Sequence, residues 1–399
     1  MGKKVVIGLS GGVDSSVAAW MLKREGYSVS ALFMKNWSDT TGLLRSECHW
    51  EDDIMFAEMV ARKLDIPFHH TDLSDQYRKR VVDYMFAEYE RGRTPNPDIL
   101  CNREIKFDSF AEAAFDLGAD LVATGHYCRK DVVTKDGTPV YRLLAGTDQN
   151  KDQSYFLCQI TPDQLSRALF PIGGLTKYRV REIARELDLP TANRKDSQGI
   201  CFIGKVDLPT FLQQKLHSVE GEIIEIEREK EIHPNFNGLP PAEAPDELLD
   251  ALTKPFSYTR DMGRPAGKHR GAHFFTVGQR KGLNVGGRKE PLFVIGTDTK
   301  ENIVYTGEGH SHSGLNRKGL SVRESDIHYI RPDKAIYPGE TADMLVRIRH
   351  RQELQKARLY RRERKLYILF EEMQRGITAG QFAAWYDGEE LIGSAVIDG

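Results

Sequence analysis

The amino-acid sequence predicts an α/β fold in its first part, a parallel sheet with helices on both faces, giving way to short antiparallel strands and a small barrel. Two observations carry this expectation. Strand-like and helix-like segments alternate over the first third of the chain, and from about His273 onward short strands dominate. With 399 residues the chain is also too long for a typical single domain, so two or three are expected.

Taken in order, residues 4–9 form a β-branched run and residues 10–16 a Gly-rich turn. Residues 17–23 read as a helix spaced by Val17, Trp20 and Met21, with Gly26 as its stop. A second strand is expected at 29–34. An amphipathic helix over 51–64 turns Ile54, Met55, Ala57, Met59, Val60 and Leu64 to one side. A third short strand covers 68–71, helices cover 75–91 and 106–117, and a buried strand covers 120–124. In such sheets ligands sit at the carboxyl ends of the strands. Helical spacing returns over 164–169 and 180–187. Residues 220–231 are strand-like and acidic, and 234–255 is a proline-rich acidic stretch expected to be a loop or insertion. Beyond it, strands are expected at 274–277, 292–297, 303–306, 342–348, 356–360, 365–370 and 391–397. Alternation such as Val346-Arg347-Ile348-Arg349-His350-Arg351 fits half-buried antiparallel strands.

Composition narrows the class. With 40% hydrophobic and 29% charged residues, the chain can pack a core, yet it has no apolar run long enough to cross a bilayer. The opening Met1-Gly2-Lys3-Lys4 leads directly into Val5-Val6-Ile7, too short for a signal-peptide core, so a cytoplasmic location without membrane partners is expected. Cys48, Cys101, Cys128, Cys158 and Cys201 are widely spaced and include no C-x-x-C pair. That argues against a zinc knuckle, a thioredoxin motif or a secreted disulfide framework, and no metal site is expected. Net charge is −2, so global attraction to nucleic acid is absent. Between residues 341 and 365, however, nine basic residues stand against three acidic ones. This local excess is either a nucleic-acid contact or a solvated sheet face.

Three segments carry chemistry. Ser10-Gly11-Gly12-Val13-Asp14-Ser15-Ser16 follows a strand and opens a helix, where glycines let backbone wrap an anion and hydroxyls add donors. No Lys follows the glycines, so it is not a Walker A loop; a plain Gly-rich turn is the bland alternative. Gly92-Arg93-Thr94-Pro95-Asn96-Pro97-Asp98-Ile99-Leu100-Cys101-Asn102 has two prolines that are expected to fix an extended loop. That loop delivers Asp98 as acid or base and Cys101 as a sulfur nucleophile, although a lone Cys is more commonly a small core residue. Cys201, flanked by Ile200, Phe202 and Ile203, reads by itself as core.

The Gly-rich turn resembles the PP-loop of the ATP pyrophosphatase superfamily. Together with Phe33-Met34-Lys35-Asn36-Trp37, the Gly92–Cys101 segment, Ala123-Thr124-Gly125-His126-Tyr127, Lys151-Asp152-Gln153-Ser154-Tyr155, the run around Cys201 and Gly278-Gln279-Arg280-Lys281-Gly282-Leu283, it is similar, in order, to the tRNA-specific 2-thiouridylases. This resemblance implies a PP-loop domain (1–204), a small central β domain carrying the acidic insertion (205–290) and a C-terminal, tRNA-binding β-barrel (291–399). It implies ATP, accompanied by magnesium, at Gly8, Leu9, Ser10, Gly11, Gly12, Val13, Asp14, Ser15, Met34 and Gly125. Asn96, Pro97 and Asp98 would meet the target base, and Lys151, Asp152, Gln153, Arg349 and His350 would touch tRNA, although Tyr is commoner where His350 stands. Cys201 would carry sulfur as a persulfide delivered by a cysteine desulfurase or relay protein, and Cys101 would form a disulfide with it as sulfur leaves for the wobble uridine. Other PP-loop adenylating enzymes, or an RNA-binding protein that kept the fold, are the competing readings; paired cysteines and an intact nucleotide loop are the features that separate them.

Overall fold

A computed structural model describes residues 2–37, 49–196, 208–213, 215–227 and 236–398. Its first part is built from β1 (Lys4–Gly8), α1 (Val13–Arg24), β2 (Ser28–Lys35), α2 (His49–Leu64), β3 (Phe68–Asp72), β4 (Leu121–Ala123), a hairpin of β5 (Cys128–Lys135) and β6 (Thr138–Ala145), and β7 (Ala168–Leu169). The order β3-β2-β1-β4-β7 makes a parallel five-stranded sheet. Both faces are buried, because side chains alternate along each strand. Val5, Ile7, Ala31 and Phe33 pack against Val17 and Ala18 of α1 on one side, while Val6, Leu32 and Met34 share a core with Tyr77, Phe110 and Cys101 on the other. The helices between β3 and β4 run through residues 74–90 and 97–116. Parts of both, Arg78–Val82 and Cys101–Ser109, are wound in the wider π geometry.

The hairpin does not join this sheet. Asp136 and Gly137 both have positive φ, 48° and 76°, which is the tight turn that matches strand twist. Further along come β8 (Gly221–Ile226), β9 (Gly263–His269), β10 (Leu292–Asp298) and β11 (Ile303–Glu308), a four-stranded sheet ordered β10-β11-β8-β9. The barrel follows: β12 (Asn316–Arg323), β13 (Ile327–Tyr329), β14 (Thr341–Arg347), β15 (Gln355–Arg361), β16 (Lys365–Arg375), β17 (Phe382–Asp387) and β18 (Glu390–Val396). Strand order β12-β16-β15-β14-β17-β18 is closed where the Asp398 N–H donates to the Ser321 carbonyl at 3.0 Å. Inside lie Leu320, Val346, Leu359, Ile368, Trp385 and Ile392. The β5–β6 hairpin extends this sheet, with Leu143 opposite Leu391 and Leu144 opposite Glu390.

Several expectations need correction. The expected barrel domain (291–399) includes β10 and β11, yet these strands pair with each other and with β8, so the central sheet reaches Glu308. Residues 274–277 form no strand: a 3-10 turn occupies Ala272–Phe274, and the Gln279 side chain takes the Thr276 N–H at 3.1 Å. The stretch 234–255 is not all loop. Asp246–Thr253 is a helix with Asp246 and Glu247 in its first turn, where acids complement the dipole, and Leu249 and Leu252 pack on Tyr360, Tyr367 and Leu369 of the barrel. Residues 97–101 are helical rather than extended, because Pro97 sits at the first helical position and Asn96 caps it.

Leu143 is fully buried between the first domain and the barrel. Leu143→Ala should lower unfolding free energy by about 2–5 kcal/mol. Urea unfolding followed by circular dichroism and by tryptophan fluorescence checks this; an unshifted midpoint would show that the hairpin is not part of the cooperative core.

Candidate active site

The Gly-rich turn sits at the carboxyl end of β1. Gly11 adopts φ +72°, and a side chain there would run into the backbone of Asp53. Ser15 Oγ accepts from the Ser10 N–H at 3.2 Å, and Ser16 Oγ donates to the Gly12 carbonyl at 2.7 Å. Gly12 is the N-cap of α1 and no side chain caps the first N–H groups, which leaves that helix end open to an anion. Gly125 closes the cradle from β4: a Cβ there would stand 2.8 Å from the Ser15 nitrogen. On the neighbouring strand end, Asn36 is buried with both amide atoms unpartnered. A buried amide of this kind is costly unless a ligand or water completes it. Glycine cradle, open helix end and orphan amide together suit a nucleotide. Magnesium held through phosphates would need only one or two carboxylates, and Asp14 is the one the turn offers; no group of three or more His, Cys, Asp or Glu that could hold a metal ion occurs among the described residues.

Asp14 is not a bare carboxylate. It accepts from the Tyr127 hydroxyl at 2.7 Å and from Lys177 Nζ at 2.7 and 2.9 Å. Burial and then the Asp14 charge push the Tyr127 hydroxyl up, so it stays a donor. The Lys177 ammonium also reaches Asp196 at 2.9 Å, and Asp196 is shared with Lys151 and Arg181. Next to it, Arg194 donates to the Gly11 carbonyl at 2.8 Å and pairs with Asp53 at 2.8 Å. None of these four cations was singled out by sequence as a partner of the turn; their contacts span up to 183 residues.

Cys101 and Asp98 lie one helical turn apart in the helix begun at Pro97. Asn96 Oδ1 accepts from Ile99 N–H, and its amide nitrogen donates to Gln381 of the barrel at 3.3 Å. Thr94 meets Thr276 at 3.0 Å, so this helix start touches all three regions of the chain. Cys101 is fully buried and begins the π-helical stretch, a geometry frequent at functional sites. Cys128 and Cys158 are also buried, and burial raises their thiols, that of Cys158 to about 12, which disfavours the thiolate of either at neutral pH. Cys201 lies outside the described residues.

The remaining expected contacts gather at the same seam. The Asn102 amide donates to the Phe156 carbonyl at 3.1 Å, and the Phe156 ring lies 4.3 Å from His350. Lys151 is half-buried on Asp196. Asp152 is buried and accepts from Gly146 and Ser154 N–H groups, the Ser154 hydroxyl and Arg347, so it organises protein rather than facing outward. The Gln153 side-chain oxygen accepts from the Tyr127 N–H at 3.0 Å. The basic stretch of residues 341–365 also divides. Arg358 pairs with Asp343, Arg361 with Glu324, Arg362 with Asp246 and Lys365 with Asp250, whereas Arg349 and Arg351 are exposed. Arg349 Nη1 and the Val277 carbonyl both border Gly376, and Arg280 and Lys281, a few residues beyond Val277, are exposed as well.

Residues 3–205 match the family described as tRNA methyl transferase HUP domain, 258–308 its PRC-barrel domain and 318–397 the aminomethyltransferase beta-barrel domain. The chain is 56% identical over 397 residues to the tRNA-specific 2-thiouridylase MnmA of Christiangramia forsetii, covering 99% of this chain and 100% of that one, and the same figures hold for Flavobacterium johnsoniae. With the Bacillus subtilis protein of that name it shares 41% over 398 residues, 99% and 95% of the two chains. The chain belongs to the tRNA-specific 2-thiouridylase MnmA family. Its parallel-sheet domain, central β domain and barrel follow the order of the three family matches. Among the described residues, no helix is long and apolar enough to cross a membrane.

His350 is half-buried, and burial followed by the Arg351 charge lowers its imidazole to about 4. A free His titrates near 6.5, so folding holds His350 neutral. Its stabilising contribution is complete above pH 6.5 and is lost as pH falls towards 4. His350→Phe should therefore flatten the fall in stability between pH 6.5 and 4 while changing little at pH 8. Urea midpoints measured across that range decide it; parallel curves for the two proteins would refute the assignment.

Proposed function

We propose that this chain replaces the 2-oxygen of the wobble uridine of tRNA with sulfur, consuming ATP. The observation that carries the reading is the seam itself. A nucleotide cradle, the Asp98–Cys101 helix start and an exposed cationic patch lie on adjoining elements, in a chain similar along its length to proteins named for this reaction.

The cradle of Gly8, Leu9, Ser10, Gly11, Gly12, Val13, Asp14 and Ser15 would hold the phosphates, with Met34 and Gly125 flanking the nucleotide. ATP with its magnesium supplies an adenylyl group that makes the uracil 2-oxygen a leaving group. Asn96, Pro97 and Asp98 would meet the base, and Asp98 would move its proton. Of the Lys151, Asp152 and Gln153 segment, Lys151 is the group suited to phosphate, because Asp152 is committed internally. An external persulfide donor, a cysteine desulfurase or relay protein, loads a terminal sulfur on Cys201. That sulfur bonds to C2 of the base and AMP leaves with the former 2-oxygen. The Cys101 thiolate then attacks Sγ of Cys201, the sulfur–sulfur bond breaks, and 2-thiouridine and a Cys101–Cys201 disulfide remain. In the alternative order Cys101 attacks first and hydrosulfide adds to C2. An external thiol must reduce the disulfide before the next turnover.

The test separates the steps. Asp14→Ala should lose tRNA-dependent AMP release by at least about a hundredfold. Cys201→Ser should fail to accept labelled sulfur, and Cys101→Ser should accept it without completing 2-thiouridine; both should still release AMP. Mass spectrometry of the wobble nucleoside and radiolabel transfer read these outcomes. Thiolation by Cys201→Ser would remove the proposed sulfur route.

tRNA binding should depend on the exposed patch rather than on the whole basic stretch. Neutralising Arg280, Lys281 and Arg349 together should flatten the plot of log affinity against log salt by about two to three. Neutralising Arg358 and Arg362, which already have carboxylate partners, should leave that slope unchanged. Equal slopes in all proteins would place tRNA elsewhere.

A further inference from the structure

The Gly-rich turn carries no basic residue, yet pyrophosphate is among the most highly charged groups an enzyme releases. A cation must therefore come from another element. Lys177, the first residue of the helix Lys177–Glu186, places its ammonium against the turn. Its side chain is 12% exposed and bonds both oxygens of Asp14, at 2.7 and 2.9 Å, and Asp196 at 2.9 Å. The Lys177 backbone N–H is pinned by Asp148 at 2.9 Å, so the base of the side chain is fixed while its four-carbon stem is free to pivot.

We propose that Lys177 is the cation that binds the pyrophosphate part of ATP, and that Asp196 is the counter-ion that holds it in the absence of nucleotide. This rests on the ATP-consuming reading above. Asp14 lies two residues beyond Gly12, the N-cap of α1, so a group within hydrogen-bond reach of its carboxylate is beside the open helix end where phosphate oxygens would settle. Around the two carboxylates stand three cations, Lys177, Lys151 and Arg181, with Asp148 at the start of the Lys177 helix. A nearly buried ammonium is tolerated only with such partners. Moving from two carboxylates to phosphate oxygens exchanges one set of charge-assisted bonds for another, without leaving the cation bare. As the bond to the α-phosphate breaks, negative charge gathers on the departing pyrophosphate, and an ammonium already in place stabilises it most at that moment. Arg194 is less suited to the task, since it is occupied by the Gly11 carbonyl and Asp53 and fixes the turn itself. Asp196 remains ionised throughout: burial pushes its carboxyl up, but hydrogen bonds from Lys151, Lys177 and Arg181 hold it far below the usual carboxylate range.

The experiment measures binding of pyrophosphate, AMP and a non-hydrolysable ATP analogue separately, by calorimetry on the full chain. Lys177→Met should weaken pyrophosphate and the analogue roughly tenfold to a hundredfold, and AMP by no more than about threefold. Lys177→Arg should recover part of the loss. Asp196→Asn should tighten pyrophosphate more in the otherwise native chain than in the Lys177→Met background, where it frees only Lys151 and Arg181. Equal weakening of AMP and pyrophosphate by Lys177→Met, or equal tightening by Asp196→Asn in the two backgrounds, would overturn the assignment while leaving the ATP reading intact. A native chain that binds neither nucleotide nor pyrophosphate would overturn both.

Discussion

Asp152 lies beneath the meeting of the first domain and the barrel. It gathers two N–H groups, the Ser154 hydroxyl and the Arg347 guanidinium, the last at 3.0 Å, in a place almost closed to water. Ser154 passes the connection on to Tyr386 at 3.2 Å, and Arg347 lies over the same ring. Removing one member of such a buried set leaves an uncompensated charge, which costs about 3–5 kcal/mol. The relative placement of cradle, Cys101 helix and barrel corner depends on this arrangement. Tyr127 binds Gln153 next door and Asp14 in the cradle, so the polar network continues from the interface to the nucleotide turn.

Much of the first domain was legible because its signals are local. Continuous buried runs in β1 and β2, the Gly-rich turn and the helix α2 are properties of adjacent residues; of the side of α2 expected to be apolar, Ala57, Val60 and Leu64 are buried, whereas Met55 and Met59 are exposed. The Asp136-Gly137 turn is a local signal for the β5–β6 hairpin. Its pairing with β18 could not be read at all, since the partner lies near the opposite end of the chain. The same holds for β10 and β11: their strand character was visible, but whether they join the central sheet or the barrel is decided by β8. Phe274-Phe275-Thr276-Val277 has strand composition, yet side-chain and turn hydrogen bonds around Gln279 override it.

The site divides along similar lines. The sequence marks the cradle, Asp98 and Cys101 as candidates through motifs in which chemistry and spacing coincide. It also located the charge of residues 341–365, but not its neutralisation, because Asp246 and Asp250 arrive on a helix within a stretch read as loop. Counting charge along a chain measures composition; what a ligand feels is the charge left after folding has paired it. Lys177 illustrates the converse. It stands at an ordinary helix start, and only the fold brings it to Asp14, 163 residues away.

The β6–β18 pairing also bears on how the molecule is made. Ribosomes deliver the chain from its N-terminus, and about 250 residues separate Leu144 from its partner Glu390. At typical elongation rates of about 5–20 residues per second, the outer edge of β6 waits on the order of tens of seconds for its neighbour. An uncovered strand edge is adhesive during that interval. The hairpin carries charged residues at Asp131, Lys135 and Arg142, and keeps its apolar Leu143 in the core of the first domain. Completion of the first domain thus waits for β18.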